Sequence, residues 1–188
     1  MKITSTKTLP IIFHILSTPR FRQNEVQKAT GISIGRVNAV TTWLRGKGLV
    51  IRKDGMFELV APNRLAELAS AQIFIPHERT FALDLSKEDA IKTITGNGGT
   101  LCLKSALESS YPSYSYPEID AYATDDTFRA LGRIERGDQL VHIYQAPFPS
   151  IMAKEGKTTD LQTIIDMMAR GEHSQLRDLR LKQWDTLQ

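Results

Sequence analysis

The chain has 188 residues, of which 41% are apolar and 24% charged, with a formal net charge of +3. These proportions are typical of a globular protein and exclude a disordered, fibrous or collagen-like chain. No apolar stretch near the start approaches the roughly 20 residues of a transmembrane helix, and no signal peptide is expected. Cys102 is the only cysteine, which excludes an internal disulfide and a cysteine-based zinc site. We therefore expect a soluble, cytoplasmic protein without a membrane partner.

The charges are distributed unevenly along the chain. Residues 1–71 hold eleven lysines and arginines against four acidic residues, a net charge of +7, whereas residues 72–188 hold 13 cations and 17 anions, a net charge of −4. This asymmetry predicts two domains, 1–71 and 72–188, with different partners. A basic excess favours a polyanion, because each phosphate contact releases condensed counterions. A surface that is merely soluble would explain the charge equally well.

Two helices are predicted at the start of the basic domain. The first begins at Thr8 and ends at residues 18–19, where a proline stops it. The second is short and spans residues 23–30, with Val26 and Ala29 expected to face the core.

A turn and a third helix complete a helix-turn-helix pattern. Gly31 supplies the residue of positive φ that commonly ends a helix. Ser33 then caps a third helix that is predicted to run to about Arg45. Two helices joined through a short glycine-containing turn are typical of DNA-binding modules.

A β-hairpin is predicted directly after the third helix. Its strands are expected over residues 49–52 and 56–60, and Asp54-Gly55 between them favours a type I′ turn, in which both central residues have φ > 0. A further helix is expected from Pro62 to about residue 71. Three helices followed by a hairpin predict a winged helix-turn-helix domain.

The third helix is expected to enter the major groove of DNA, which is wide enough for one α-helix. At 100° per residue, the side that faces the core consists of Val37, Val40, Thr41 and Leu44. The opposite side is centred on small residues that permit close approach to DNA, namely Gly35, Ala39, Thr42 and Gly46. Ala39 and Thr42 carry methyl groups suited to thymine. Arg36 is suited to guanine and Asn38 to adenine, each through two hydrogen bonds.

Cations at the end of this helix and on the hairpin are predicted to contact phosphates. They are Lys47, Arg52 and Lys53, and Ser33 at the helix start completes the predicted DNA-binding set. Alternatives remain at this stage: the small-residue face also suits helix packing or a dimer interface, and Lys53 also suits a solvated hairpin tip. Trp43 is expected to pack beside the hairpin rather than contact a base. Some winged helices bind protein instead of DNA.

The acidic remainder is predicted to be mixed α/β. Strands are expected over residues 80–85, 118–123 and 138–144, and helices over 86–94, 100–109, 125–131 and 159–170, with a final helix that contains Trp184. Ser86 and Thr159 are the predicted caps of two of these helices.

One pattern in this region is typical of a catalytic site. Residues 98–100, Gly-Gly-Thr, precede a helix and then Glu118 and Asp120 on one strand, which is similar to a nucleotidyltransferase layout. In that layout the Gly-Gly turn holds phosphate, and alternating carboxylates share a strand face and hold Mg²⁺. Against it, Lys104 is the only suitable cation before the strand, and no third acidic position is evident on a later strand. A packing or loop role is favoured.

Other catalytic and metal-binding patterns are missing from the sequence. The four histidines, His14, His77, His142 and His173, have no metal-ligand spacing, and no P-loop or dinucleotide fingerprint is present. Cys102 is flanked by leucines and is expected to be a small buried residue. We therefore expect no cofactor, no metal and no catalytic residues.

The combination of segments resembles a known family. The run Ile-Ser-Ile-Gly-Arg-Val at 32–37 through Leu44, followed by 48–50, resembles the winged helix of AbiEi-type antitoxin regulators, and 59–65 resembles their connection after the hairpin. In the second half, short segments are similar to that family's effector domain, namely 95–96, 105–107, 118–123 and 161–172. The resemblance spans most of the chain through diffuse patterns rather than one invariant motif.

The resemblance implies an autorepressing antitoxin of a type IV toxin–antitoxin pair, whose functional partner is a separate nucleotidyltransferase toxin. It also implies an α/β second domain that is not itself an enzyme. The overall expectation is an α+β protein, with a winged helix-turn-helix followed by a mixed α/β, nucleotidyltransferase-like domain. Its expected function is sequence-specific binding to promoter double-stranded DNA as a homodimer. The alternative is a Mg-dependent nucleotidyltransferase that uses Glu118 and Asp120.

Overall fold

The computed structural model describes residues 5, 7–134, 136–146 and 152–184, and it shows an α+β chain divided into two compact units. The first unit consists of residues 1–73 and 174–188, and the second of residues 74–173. The division lies two residues after the boundary expected at residue 71. The expectation that 72–188 form a single domain is wrong for residues 174–188, which belong with the first unit.

The first unit is built from helices and one small antiparallel sheet. Its elements up to the division are α1 (Leu9–Ser17), β1 (Arg20–Phe21), α2 (Gln23–Thr30), α3 (Ile34–Gly46), β2 (Val50–Lys53), β3 (Met56–Leu59) and α4 (Pro62–Ser70). The strand order is β1-β3-β2. Apolar side chains from α1, α2 and α3 are buried together with Phe21 of β1, which stacks on Phe57 at a ring-centroid distance of 5.7 Å.

The turns that the sequence predicts in this unit form in the structure. Gly31 ends α2 with φ +68°, and the β2–β3 hairpin turns at Asp54 and Gly55 with φ +51° and +75°. Both positive φ values agree with the predicted type I′ turn. Val26 is buried as predicted, but the expectation for Ala29 is wrong, since it is exposed. The short helix α2 presents only one buried side chain to the core.

The second unit is a six-stranded mixed sheet with helices. Its elements are β4 (His77–Leu83), α5 (Lys87–Gly96), β5 (Thr100–Leu101), α6 (Leu103–Ser110), β6 (Ile119–Tyr122), α7 (Asp125–Gly132), β7 (Gln139–Tyr144), β8 (Ala153–Lys154), β9 (Lys157–Thr158) and α8 (Asp160–Ala169). The strand order is β4-β7-β6-β5-β9-β8. The predicted caps form, because Ser86 Oγ accepts from the Asp89 backbone and Thr159 Oγ1 from that of Gln162. A helix beginning at residue 100 is wrong, since a short strand precedes α6.

The two faces of this sheet differ in chemistry. Side chains alternate along β6 and β7, so that apolar residues of both strands pack with α5 and α7 in one core, including Ile119, Val141 and Ile143. Asp120 and His142 are paired neighbours and occupy the opposite face. Polar and ionisable groups are therefore gathered on one side of the sheet.

The last helix, α9 (Arg177–Trp184), belongs to the first unit. Leu179 and Trp184 are buried, and the Trp184 indole Nε1 donates a hydrogen bond to the Leu16 carbonyl at 3.3 Å. This contact joins α9 to α1. Within the part of the chain described here, no helix has the length and apolar character needed to cross a membrane.

Candidate nucleic-acid interface

Helix α3 separates core-facing from open positions as its periodicity predicts. Val37, Val40, Thr41 and Leu44 are fully buried. Residues predicted to lie on or beside the opposite side of the helix are exposed, namely Ser33, Gly35, Asn38, Ala39 and Thr42. The amphipathic division of the helix therefore leaves one face of small and amide side chains open.

The two glycines of this face meet no other described part of the first unit. A Cβ atom built on Gly35 or Gly46 meets no atom within 4 Å outside the helix itself. Within the first unit, these glycines therefore do not pack against another described element. Ser33 forms the N-cap position of α3 without a side-chain capping hydrogen bond, so its exposed hydroxyl is not used to close the helix. Trp43 is half-buried, which fits a packing role.

Exposed cations accompany the open face. Lys47 follows α3, and Arg52 and Lys53 lie at the end of β2 beside the hairpin turn. All three side chains are exposed. When the charges are assigned to the units that the structure defines, the first holds 14 cations and 6 anions, a net charge of +8, and the second holds 10 cations and 15 anions, a net charge of −5. The asymmetry is thus larger than the sequence division at residue 71 indicated.

Arg36 has a different environment from the other predicted contacts. Its side chain is half-buried, and Nη2 donates hydrogen bonds to Ser5 Oγ, at 3.2 Å, and to Thr8 Oγ1. Its Nε is buried without a hydrogen-bond partner in the described chain. Reading guanine would require this guanidinium to leave both hydroxyls. In this structure Arg36 ties α3 to the start of α1.

A contact that the sequence pattern did not reveal joins α2 to α3. Gln23 Nε2 donates a hydrogen bond to Asn38 Oδ1 at 3.1 Å. Gln23 is the first residue of α2 and half-buried, whereas Asn38 is exposed on α3. The two residues are 15 positions apart, so no helical spacing relates them. Only the angle between the two helices brings their amides together.

The Gly-Gly turn of the second unit does not have the features of a phosphate cradle. The backbone N–H groups of Asn97, Gly98 and Gly99 all donate to carbonyls at the end of α5. The Asn97 carbonyl accepts from the hydroxyls of Thr124 and Thr127 at 2.8 and 3.0 Å. A phosphate site of this kind requires free N–H groups. The turn instead fastens α5 to α7, and a Cβ on Gly99 would collide with α5.

Glu118 of the predicted carboxylate pair also lies apart from that turn. Thr100 pairs with Tyr122 at the end of β6, whereas Glu118 precedes the start of β6. Tyr122 lies four residue steps beyond Glu118, which is about 13 Å along an extended strand. The structure therefore does not bring the Gly-Gly turn next to Glu118, as the transferase layout requires. Among the residues with described positions, no group of three or more His, Cys, Asp and Glu side chains is arranged to hold a metal.

Glu118 belongs instead to a hydrogen-bonded chain that runs from the segment before β6, through β7, to β4. Glu118 Oε2 lies 2.9 Å from His142 Nε2, and His142 Nδ1 lies 3.0 Å from Thr80 Oγ1. His77 Nε2 is 2.9 Å from the same hydroxyl. One hydrogen-bonding pattern satisfies all of these contacts, in which His77 donates to Thr80, Thr80 to His142, and His142 to Glu118. His77 and His142, which have no regular spacing in the sequence, thus lie close together on the polar face of the sheet.

A buried acidic group lies beneath this face. Asp166 of α8 is fully buried, and its Oδ1 accepts a hydrogen bond from Gln162 Nε2 at 2.7 Å. The Tyr122 hydroxyl of β6 also faces this carboxyl group. Burial raises the pKa of Asp166 to about 7, and hydrogen bonding from Gln162 and Tyr122 opposes that rise only in part. Asp120, also buried, has its pKa raised by the same cause. Removal from water disfavours the charged carboxylate at both positions.

Comparison of the chain with models of protein families, with curated proteins and with solved structures finds no match. The candidate interface is therefore defined by the geometry and charge of this chain alone. Its elements are the open face of α3, the amide pair that links α2 to α3, and the exposed cations after α3 and on the hairpin.

Proposed function

We propose that the first unit is a winged helix-turn-helix module and that the protein is a sequence-specific DNA-binding transcriptional regulator. The observation that carries the proposal is the uncovered face of α3, where small residues and one amide are exposed while the opposite face is fully buried. A helix of this width fits the major groove, and the lack of bulk allows its backbone to approach the base edges.

Each part of the module has a role in this proposal. Asn38 reads a base edge, and Ala39 and Thr42 contact thymine methyl groups. Lys47, Arg52 and Lys53 neutralise phosphates on either side of the groove and set the orientation of the module. We assign Arg36 to holding the start of α1 rather than to base reading, because its guanidinium is already bonded there.

The regulator class rests on the resemblance described above. We infer that the protein is the autorepressing antitoxin of a type IV toxin–antitoxin pair, with a nucleotidyltransferase toxin as its functional partner. It would bind its promoter as a homodimer, on half-sites about 10 base pairs apart. We do not extend the proposal to transferase chemistry in the second unit, since the N–H groups of its Gly-Gly turn are already bonded.

The test is binding of the purified chain to the DNA upstream of its own gene, beside a duplex of scrambled sequence, at 50 and 200 mM salt. We expect tighter binding to the native duplex and weaker binding at the higher salt. Each phosphate contact contributes about 0.9 to the slope of log affinity against log salt. Equal binding to the two duplexes, or no binding at either salt concentration, contradicts the proposal.

A charge-matched pair of variants assigns the binding surface. Replacing Lys47, Arg52 and Lys53 together by alanine removes up to three contacts, so the salt-dependent loss between 50 and 200 mM should shrink by roughly 40-fold. The control removes three exposed cations of the second unit, Lys92, Arg129 and Lys154. Because both triple variants lose the same charge, an equal effect would show that only net charge matters, against the proposed surface.

A further inference from the structure

The hydrogen bond between Gln23 and Asn38 is placed where the proposed module would read DNA. Gln23 Nε2 donates to Asn38 Oδ1 at 3.1 Å, across the turn that joins α2 to α3. Asn38 is exposed and lies beside the open small-residue face, which offers no other amide. An exposed asparagine alone can turn either end of its amide outward. The contact from α2 selects one end.

The direction of this hydrogen bond determines what Asn38 offers. Because Gln23 donates, the oxygen of Asn38 is held towards α2, and its Nδ2 group, with two donor hydrogens, is left for an external acceptor. The same oxygen keeps a second lone pair. A donor beside an acceptor matches the major-groove edge of adenine, which presents the N7 acceptor and the N6 donor. Guanine presents two acceptors, N7 and O6, and leaves the oxygen of Asn38 without a donor.

We infer that Gln23 is a positioning residue that orients Asn38 to recognise a single adenine in the target site. The inference rests on the proposed function, and it names a specificity determinant on a helix outside the reading helix itself. Gln23 is half-buried at the start of α2, where the Glu25 carboxylate accepts a hydrogen bond from the Arg22 backbone N–H at 2.8 Å. Its side chain therefore emerges from a defined helix end, which limits the positions that its amide can reach.

The experiment selects bound duplexes from a randomised pool with the purified full chain and reads the base preference at each position. Wild type should prefer adenine at one position by roughly 5- to 150-fold, the range of one bidentate contact. Asn38→Ala should lose that preference. Gln23→Ala should lose most of it, and the double variant should be no worse than Asn38→Ala. Gln27→Ala, an exposed glutamine on the same helix, is the matched control and should keep the wild-type profile.

A change of polarity at Gln23 provides a sharper arm. Glutamate at this position only accepts hydrogen bonds, so Gln23→Glu should hold the Asn38 nitrogen and turn its oxygen outward. The preference should then move towards cytosine, whose major-groove edge offers the N4 donor. A merely structural role for Gln23 would lower affinity for all sequences without changing the preferred base. The thermal unfolding midpoint of each variant separates that effect from loss of folding.

The outcomes distinguish the two proposals. Wild type that binds specifically, with Gln23→Ala keeping the full adenine preference, overturns the inference and leaves the proposed function standing. The same holds if Asn38→Ala keeps the preference. Wild type that shows no preferred sequence overturns the proposed function and the inference together. Loss of preference in both alanine variants at an unchanged salt slope supports the positioning role.

Discussion

Replacing Asp166 by asparagine should make the second unit more stable at pH 8 and change its stability little at pH 4. Asp166 is fully buried, and burial raises the pKa of its carboxyl group from an ordinary value of 3.8 to about 7. At a pH between these two pKa values, the carboxyl group is ionised in the unfolded chain but protonated in the native one. The unfolded chain then binds fewer protons, so the free energy of unfolding falls as pH rises.

The magnitude follows from that difference in pKa. A change of about 3 units at 1.36 kcal/mol per unit amounts to about 4 kcal/mol, lost progressively between about pH 4 and pH 7. Asparagine resembles the protonated acid in shape and stays neutral, so the Asp166→Asn variant does not incur this loss. Its amide still accepts the hydrogen bond that Gln162 now donates to the carboxyl group. The advantage of the variant should therefore grow with pH and level off above about pH 8.

The assay is urea unfolding followed by circular dichroism at pH 4 to 8, with the free energy of unfolding compared between variant and wild type at each pH. Asp126→Asn is the control, because Asp126 is an exposed carboxylate in a surface ion pair with Arg129. It should change stability by less than about 1 kcal/mol. A difference between Asp166→Asn and wild type that is the same at every pH would refute the reasoning, since it would show that both states titrate alike.

Three further predictions concern other features of the fold. Gly31→Ala should lower the free energy of unfolding by about 1 to 2 kcal/mol in thermal or urea unfolding, because φ +68° is unfavourable for alanine; no loss would contradict the backbone argument. Trp184→Ala should cost about 3 to 5 kcal/mol, and Trp184→Phe, which keeps an aromatic ring but not the hydrogen bond to Leu16, should cost less; equal losses would show that the ring is unimportant. Cys102 is fully buried and burial raises its pKa, so a thiol reagent should modify it only after denaturation, and rapid labelling of the native protein would be inconsistent with this environment.

The sequence predicted features whose cause is local. The glycine turn at Gly31, the Asp54-Gly55 hairpin and the Ser86 helix cap each depend on a few adjacent residues, and all three form. The open and buried faces of α3 follow from the helical repeat alone. What escaped prediction depends on distant partners. The two-residue strand β1 exists only because β3 pairs with it, some 37 positions later, and no pattern within β1 signals that pairing.

The same distinction applies to the candidate site. Exposure of Asn38 and Thr42 could be predicted, because it follows from the spacing of residues in one helix. The partner of Arg36 could not, since its hydrogen bonds run to α1 and the turn before it. The sequence pattern points to Glu118 because of its spacing from Asp120. Its hydrogen-bond partner is His142, which lies on β7, some 24 positions later in the chain. The type of a residue indicates which interactions its side chain can make. The tertiary packing determines which partner that side chain contacts.

The hydrogen bond from Trp184 to Leu16 has a consequence for biosynthesis. The first unit is discontinuous, because α9 joins α1 only after residues 74–173 have been added to the chain. Domains that are continuous can fold as they leave the ribosome, starting from the N-terminus. Here the second unit comes later in the sequence, but all of its segments have been synthesised before the first unit is complete. The side of α1 that receives Trp184 therefore stays uncovered in the nascent chain until that unit has been synthesised.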